Sequence, residues 1–203
     1  FTQAVESVVS TEASDFSDAA AEKAIKLVKR HLLPAYQNPE DRKARQGMHK
    51  ASCLAGIAFS NSGLGLNHGM AHAIGAKLHI AHGRINAMLL PHIIEFNSDI
   101  NKHSKSQAKY LPAVERYKTV ARILGLSSYN TIMTVRNLVN WVQFMLKEMD
   151  IPLSISQMGK ISKEEYFAEI ERMAEAALAD GCTATNPRVP SKADVMKIYE
   201  SLW

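Results

Sequence analysis

The sequence predicts an all-α protein, a multi-helix bundle of about nine helices with at most two short strands. Three observations carry that expectation. Apolar residues recur at helical rather than alternating spacing through most of the 203 residues. Ser, Asp or Asn stands before most of the periodic runs, and Gly or Pro interrupts them. With only 10 Gly and 7 Pro the chain lacks the turn chemistry of a β-sandwich, while 46% hydrophobic residues suffice for a buried core.

The helices are expected in the following order. Val5, Val8 and Val9 mark a first helix over 2–10. Asp15 or Ser17 caps a second over 17–33, with Ala20, Ala24, Ile25, Leu27 and Val28 on one face. Asn38-Pro39 has the form of an N-cap with a first-turn proline and should open a third helix, to about residue 58. The stretch 60–65, Ser-Asn-Ser-Gly-Leu-Gly, should be a loop. Helices 67–78 and 84–96 follow, the second kinked at Pro91. A helix over 108–124 stops at Gly125, and Ser127 or Ser128 starts the next, 129–149. A linker over 151–161 precedes a capping box, Ser162 with Glu165, that opens 166–178. A loop over 180–190 leads to the last helix, 191–202. Residues 1–203 thus read as a single helical domain.

Several classes of function are excluded. The net charge of +4 comes from 24 basic and 20 acidic residues that are interspersed, so no nucleic-acid-binding stripe is expected. No apolar run reaches the length of a membrane span. The two cysteines, Cys53 and Cys182, are far apart, which points away from a disulfide framework and toward a reducing cytoplasm. The chain opens at Phe1 inside a patterned segment, so its natural start is expected upstream.

Five of the eight histidines fall within 61–97: His68, His72, His79, His82 and His92. His68 and His72 are spaced i, i+4 and share a helix face. His79, eleven positions beyond His68, would continue the stripe if the helix ran on. His82 stands beside Gly83 at the next break. Neutral imidazoles so placed suit Zn, Fe or Ni, although a hydrogen-bonded histidine on a helix face is the plainer reading. There is no HExxH pattern, and the Gly63/Gly65 pair lacks the preceding strand of a dinucleotide-binding fingerprint. His31, His49 and His103 stand in polar surroundings and are expected on the surface.

The run Gly63-Leu64-Gly65-Leu66-Asn67-His68-Gly69-Met70-Ala71-His72, then Ala81-His82-Gly83-Arg84-Ile85-Asn86-Ala87 and Leu90-Pro91-His92, resembles the iron-containing (group III) alcohol dehydrogenases. The resemblance continues through Asp180-Gly181-Cys182-Thr183 and Asn186-Pro187-Arg188 to the last helix. It covers the whole chain but about the C-terminal half of a family member: the helical, metal-binding domain of the dehydroquinate synthase-like fold, without the N-terminal α/β dinucleotide-binding half.

Members of that family hold Fe(II) with an Asp and three His. The resemblance implies His68 and His82 as two of those ligands. It places the Asp just before Phe1, and sets Gln3 where the family has a third His. Gln3 is a weak neutral donor, so either metal binding is poor or His72 or water completes the shell. His72 matches a family histidine near the metal and the nicotinamide, a proton-relay or substrate-binding group. Phe59 and Cys182 match positions lining the active-site cleft, against plain core packing as the alternative. The activity implied is NAD(H)-dependent interconversion of a short primary alcohol and its aldehyde, with Fe(II) or Zn(II) as Lewis acid. The full-length protein is expected to be a homo-oligomer, and the chain alone inactive. The wording is nearest to the propanol and ethanol dehydrogenases of propanediol and ethanolamine utilisation, which implies a bacterial microcompartment. The rival readings are a glycerol-type zinc dehydrogenase and a non-catalytic helical assembly module with a degenerate metal site.

Overall fold

A computed structural model describes residues 1–100, 111–159 and 161–203. Among the described residues there are nine α-helices and no strand. They are α1 (Thr2–Val9), α2 (Asp15–Gln37), α3 (Arg42–Ser62), α4 (Leu66–Leu78), α5 (His82–Ser98), α6 (Leu111–Leu124), α7 (Thr131–Glu148), α8 (Lys163–Ala179) and α9 (Lys192–Ser201). Short 3-10 turns occupy Ser156–Met158 and Gly181–Thr185. The expected start of the sixth helix at 108 and the surface placement of His103 lie outside the described residues. Among the described residues, no helix is long and apolar enough to cross a membrane.

Two apolar clusters organise the packing. The first joins α1, α2, α3, α6 and α7 through residues such as Val5, Ile25, Ala58, Val120 and Leu138. The second joins α4, α8 and α9 through Leu66, Met70, Ile74, Tyr166, Ala174 and Tyr199. Helix α5 lies between them. It gives Leu90 and Ile94 to the first and Ile85, Met88, Leu89 and Ile93 to the second. Helix α4 is buried from Leu66 through Ala71, so its polar groups must find protein partners rather than water.

Several boundaries differ from expectation. Helix α2 runs on through Pro34 to Gln37, because the proline removes its own N–H from the ladder and the helix ends only three residues later. Asn38-Pro39 does not open α3. The Asn38 side chain accepts the Glu40 N–H at 3.1 Å in a local turn, and Asp41 is the cap, accepting from Ala44 N at 2.9 Å. Helix α3 continues through residues 60–62, which were expected in a loop, and stops at Gly63 in a left-handed conformation, φ 72°. The cap of α7 is Asn130, not Ser127 or Ser128. The Ser162–Glu165 capping box forms as expected, and Ser191 with Asp194 makes a second. His31 is not a surface residue: it is half-buried, its ring against Gly47 where α2 meets α3.

Candidate metal centre

The site is built around the N-terminus of α4, where the first amides have no partner inside the helix. The N-cap is Gly65, which has no side chain to accept from them. Two distant residues do so instead. Asn186 Oδ1 accepts the Leu66 N–H at 3.1 Å, and Glu6 Oε1 accepts the His68 N–H at 3.3 Å. A carboxylate is well placed there, at the positive end of the helix dipole.

The stretch 63–69 and the 181–188 loop interlock at this point. Thr185 Oγ1 donates to Leu64 O at 2.9 Å. Asn186 exchanges hydrogen bonds with Asn97, one at 2.8 Å and one at 3.2 Å, and so ties the 181–188 loop to α5. Gly69 is a close approach: a Cβ there would stand 2.2 Å from Thr183 Oγ1 and 3.0 Å from Ala177 O. The Gly63 and Gly69 of the motif are thus a left-handed helix stop and a packing contact, which together hold His68 in place.

Three imidazole rings converge here. Ring centroids are 5.4 Å apart for His68–His82, 5.4 Å for His72–His82 and 6.0 Å for His68–His72. His68 is buried, and its Nδ1 is hydrogen-bonded to Glu6 Oε2. That contact occupies one ring nitrogen and leaves Nε2 as the free donor, the arrangement in which an outer carboxylate orients a metal-binding histidine. Phe1, Thr2, Gln3, His68, His82, Gly83 and Asn86 line a common cavity of about 200 Å³. Asn86 Nδ2 donates to His82 O at 3.0 Å and lies 3.1 Å from its Nε2, and Asn86 in turn accepts from buried Asn67 at 2.8 Å. Burial, and then the neighbouring rings of His68 and His72, hold the His82 imidazole below its usual pKa, against an opposing pull from Glu6. A neutral imidazole is the form that binds metal.

The donor set fits a divalent transition-metal ion. Two imidazoles bound to one tetrahedral ion at about 2.1 Å have centroids roughly 5 Å apart. The His68–His82 pair, tilted by 57°, matches that separation with planes able to share an ion. The His72 and His82 rings lie nearly parallel, at 16°. His72 is engaged elsewhere: its Nδ1 is 2.8 Å from Asp180 Oδ2. Asp180 Oδ1 accepts the Cys182 N–H at 2.8 Å. A nitrogen of His72, an oxygen of Asp180 and the Cys182 sulfur lie within 4.8 Å of one another. Burial pushes the Asp180 carboxyl up, but the Cys182 amide and the His72 ring together hold it below its usual range. Burial, reinforced by Asp180, pushes the Cys182 thiol up to about 12.

The structure therefore brings the rings of His68, His72 and His82 together; His68, His82 and Gln3 line one cavity, and the Cys182 sulfur lies within 4.8 Å of a nitrogen of His72. Phe59, half-buried on the last turn of α3, does not line that cavity. His79 leaves the stripe because α4 ends at Leu78. His79 takes a left-handed conformation, φ 49°, and faces a different cavity with Lys77 and Glu169. His92 turns to Ser201, 3.1 Å away. Roles for Glu6, Asp180, Asn86 and Asn186 were missed. Glu6 left a signal: it is the one charged residue in the apolar run 4–9, on a helix with no base to pair with it. A carboxylate in that setting requires a partner from elsewhere in the fold.

Residues 1–203 match the family described as Fe-containing alcohol dehydrogenase, C-terminal. The chain is 38% identical over 202 residues to the NADPH-dependent butanol dehydrogenase of Clostridium saccharobutylicum, covering 100% of this chain and 48% of that protein. It is 37% identical over 201 residues to the 1-propanol dehydrogenase of Citrobacter freundii, covering 99% of this chain and 52% of that one. Its fold superposes on a crystal structure of 1,3-propanediol oxidoreductase with a TM-score of 0.87 and 30% identity, over 100% of this chain and 49% of that chain. The chain spans about half the length of each of these three proteins.

Proposed function

The chain belongs to the Fe-containing alcohol dehydrogenase family, and on that premise we propose that residues 1–203 are the metal-holding half of an enzyme interconverting a short primary alcohol and its aldehyde. The observation that carries this reading is the His68–His82 pair, 5.4 Å between centroids, with Glu6 behind His68 and Gln3 on the shared cavity. His68 Nε2 and a nitrogen of His82 would hold the ion, Fe(II) or Zn(II), and by resemblance Gln3 occupies the sequence position of a family imidazole. When bound, the ion supplies Lewis-acid polarisation of the alcohol or aldehyde oxygen. His72 handles the proton. Cys182, and Phe59 by resemblance alone, serve as cleft walls toward the nicotinamide. The hydride partner is NAD(H), bound mainly by sequence preceding Phe1. The full-length protein is a homo-oligomer in the cytoplasm, and the sequence resemblance to the dehydrogenases of propanediol and ethanolamine utilisation implies a microcompartment as its place.

Gln3 also favours a second reading, a helical module whose metal site has degenerated. One experiment separates the two. The protein carrying residues 1–203 in full is loaded with Fe(II) or Zn(II), and oxidation of NADH and NADPH is followed in parallel with propanal and butanal. Metal-dependent turnover is expected, and none with any metal supports the module. Turnover with NADPH alone would place this chain with the butanol dehydrogenase in cofactor choice. Gln3→His should raise metal affinity about tenfold or more, equivalent to about 1.4 kcal/mol, as read by calorimetry. An unchanged affinity would mean that residue 3 is not a ligand.

A further inference from the structure

Histidine on an exposed helix face ordinarily rotates freely and exchanges its ring proton between two nitrogens. His72 has contacts on two sides in this fold, although its side chain is 43% exposed. One side of the ring is stacked on His82. Its Nδ1 meets Asp180 Oδ2 at 2.8 Å. Asp180 is itself held, because it is both the C-cap of α8 and the N-cap of the Gly181–Thr185 turn, where its other oxygen accepts the Cys182 N–H. The turn is anchored in its own right, by Thr183 Oγ1 to Ala177 O at 2.6 Å and by Thr185 to Leu64. A rigid backbone element thus fixes a carboxylate, and the carboxylate fixes a ring beside the metal-binding pair.

We propose that Asp180 is the positioning residue for His72: it takes the Nδ1–H and so commits Nε2 as the lone-pair nitrogen that receives the substrate proton. A carboxylate oxygen can only accept, so the hydrogen on that bond belongs to the ring. The inference rests on the dehydrogenase reading above for its chemistry. In alcohol oxidation a C–H and an O–H bond break and a C=O bond forms. The nicotinamide, when bound, would take the hydride, and His72 Nε2 would take the proton and pass it to water, leaving aldehyde, reduced cofactor and one proton. The imidazole must arrive at each cycle with Nε2 unprotonated and correctly turned, and that is what Asp180 secures.

The test begins with the metal-free chain, by 15N–1H NMR of the His72 ring. The unaltered protein should show the Nδ1–H tautomer. Asp180→Asn keeps an oxygen for the Cys182 amide but can present an N–H to the ring, so His72 should switch to the Nε2–H tautomer in a protein with an otherwise unchanged amide spectrum. An Nε2–H tautomer in the unaltered chain, or no switch in the variant, overturns the proposal. This readout needs no turnover, so its failure is distinguishable from failure of the dehydrogenase reading. In the full-length enzyme, Asp180→Asn should lower kcat about 100-fold with KM for the aldehyde and metal content unchanged. A loss confined to KM or metal content overturns it. So does a cadmium–thiolate absorption band that vanishes in Cys182→Ser, because Asp180 would then share in a second metal site.

Discussion

Glu6→Ala is expected to lower stability by about 3 kcal/mol and to weaken divalent-metal affinity by about 10- to 100-fold. The carboxylate is buried and accepts two hydrogen bonds from one residue, the backbone N–H and the ring Nδ1 of His68. Truncation leaves both donors buried without a partner and removes the anion from the N-terminus of α4. It also frees the His68 ring to turn, so Nε2 is no longer aimed. Glu6→Gln keeps an acceptor oxygen for one donor, so it should recover part of the stability and little of the metal affinity. Urea unfolding and metal titration of the two variants check this. Alanine at position 6 with unchanged stability and affinity would remove Glu6 from the site.

Gly69→Ala should cost about 2–3 kcal/mol, a fall in Tm of roughly 5–10 °C for a domain of this size. The added Cβ meets Thr183 Oγ1 at 2.2 Å and Ala177 O at 3.0 Å. Thr183 cannot swing aside without giving up its 2.6 Å bond to that same carbonyl. Adding Thr183→Ala to Gly69→Ala should recover part of the loss, a coupling that a double-mutant cycle reads directly. Gly56→Ala is the control: a Cβ there meets nothing within 4 Å, and the change should be neutral or stabilising by up to about 1 kcal/mol. Calorimetric melting of these three variants and of Thr183→Ala alone decides the matter. A neutral Gly69→Ala would mean that α4 and the 181–185 turn are not packed as described.

How much of this was legible in the sequence varies with the range of the interaction. Helix identity depends on local periodicity, and it was read correctly for the nine α-helices among the described residues. Caps are also local, yet competing candidates confuse them: Asn38 and Asp41 both can cap, and only the turn made by Asn38 decides that Asp41 does. Pro34 was invisible as a helix interior because its cost is set by one missing hydrogen bond, which the rest of a 23-residue helix outweighs. Within the site, His68 and His72 could be paired by spacing alone. His82 could not, since its approach depends on how α5 re-enters beside α4, and the family resemblance supplied it. The stripe arithmetic failed at His79 because it assumed a helix that stops at Leu78. Glu6, Asp180 and Asn186 act across 62, 108 and 120 residues respectively. Partners so distant carry no periodic signal.

The proposed function requires that His68 and His82 share one divalent ion. Anomalous scattering at the zinc edge, from crystals of the protein grown with excess Zn(II), tests it most directly. A peak is expected within about 2.0–2.2 Å of a nitrogen on each of those two rings, with His68 contributing Nε2, and it should be lost in His68→Ala. A principal peak among His72, Asp180 and Cys182, with none between His68 and His82, would contradict it.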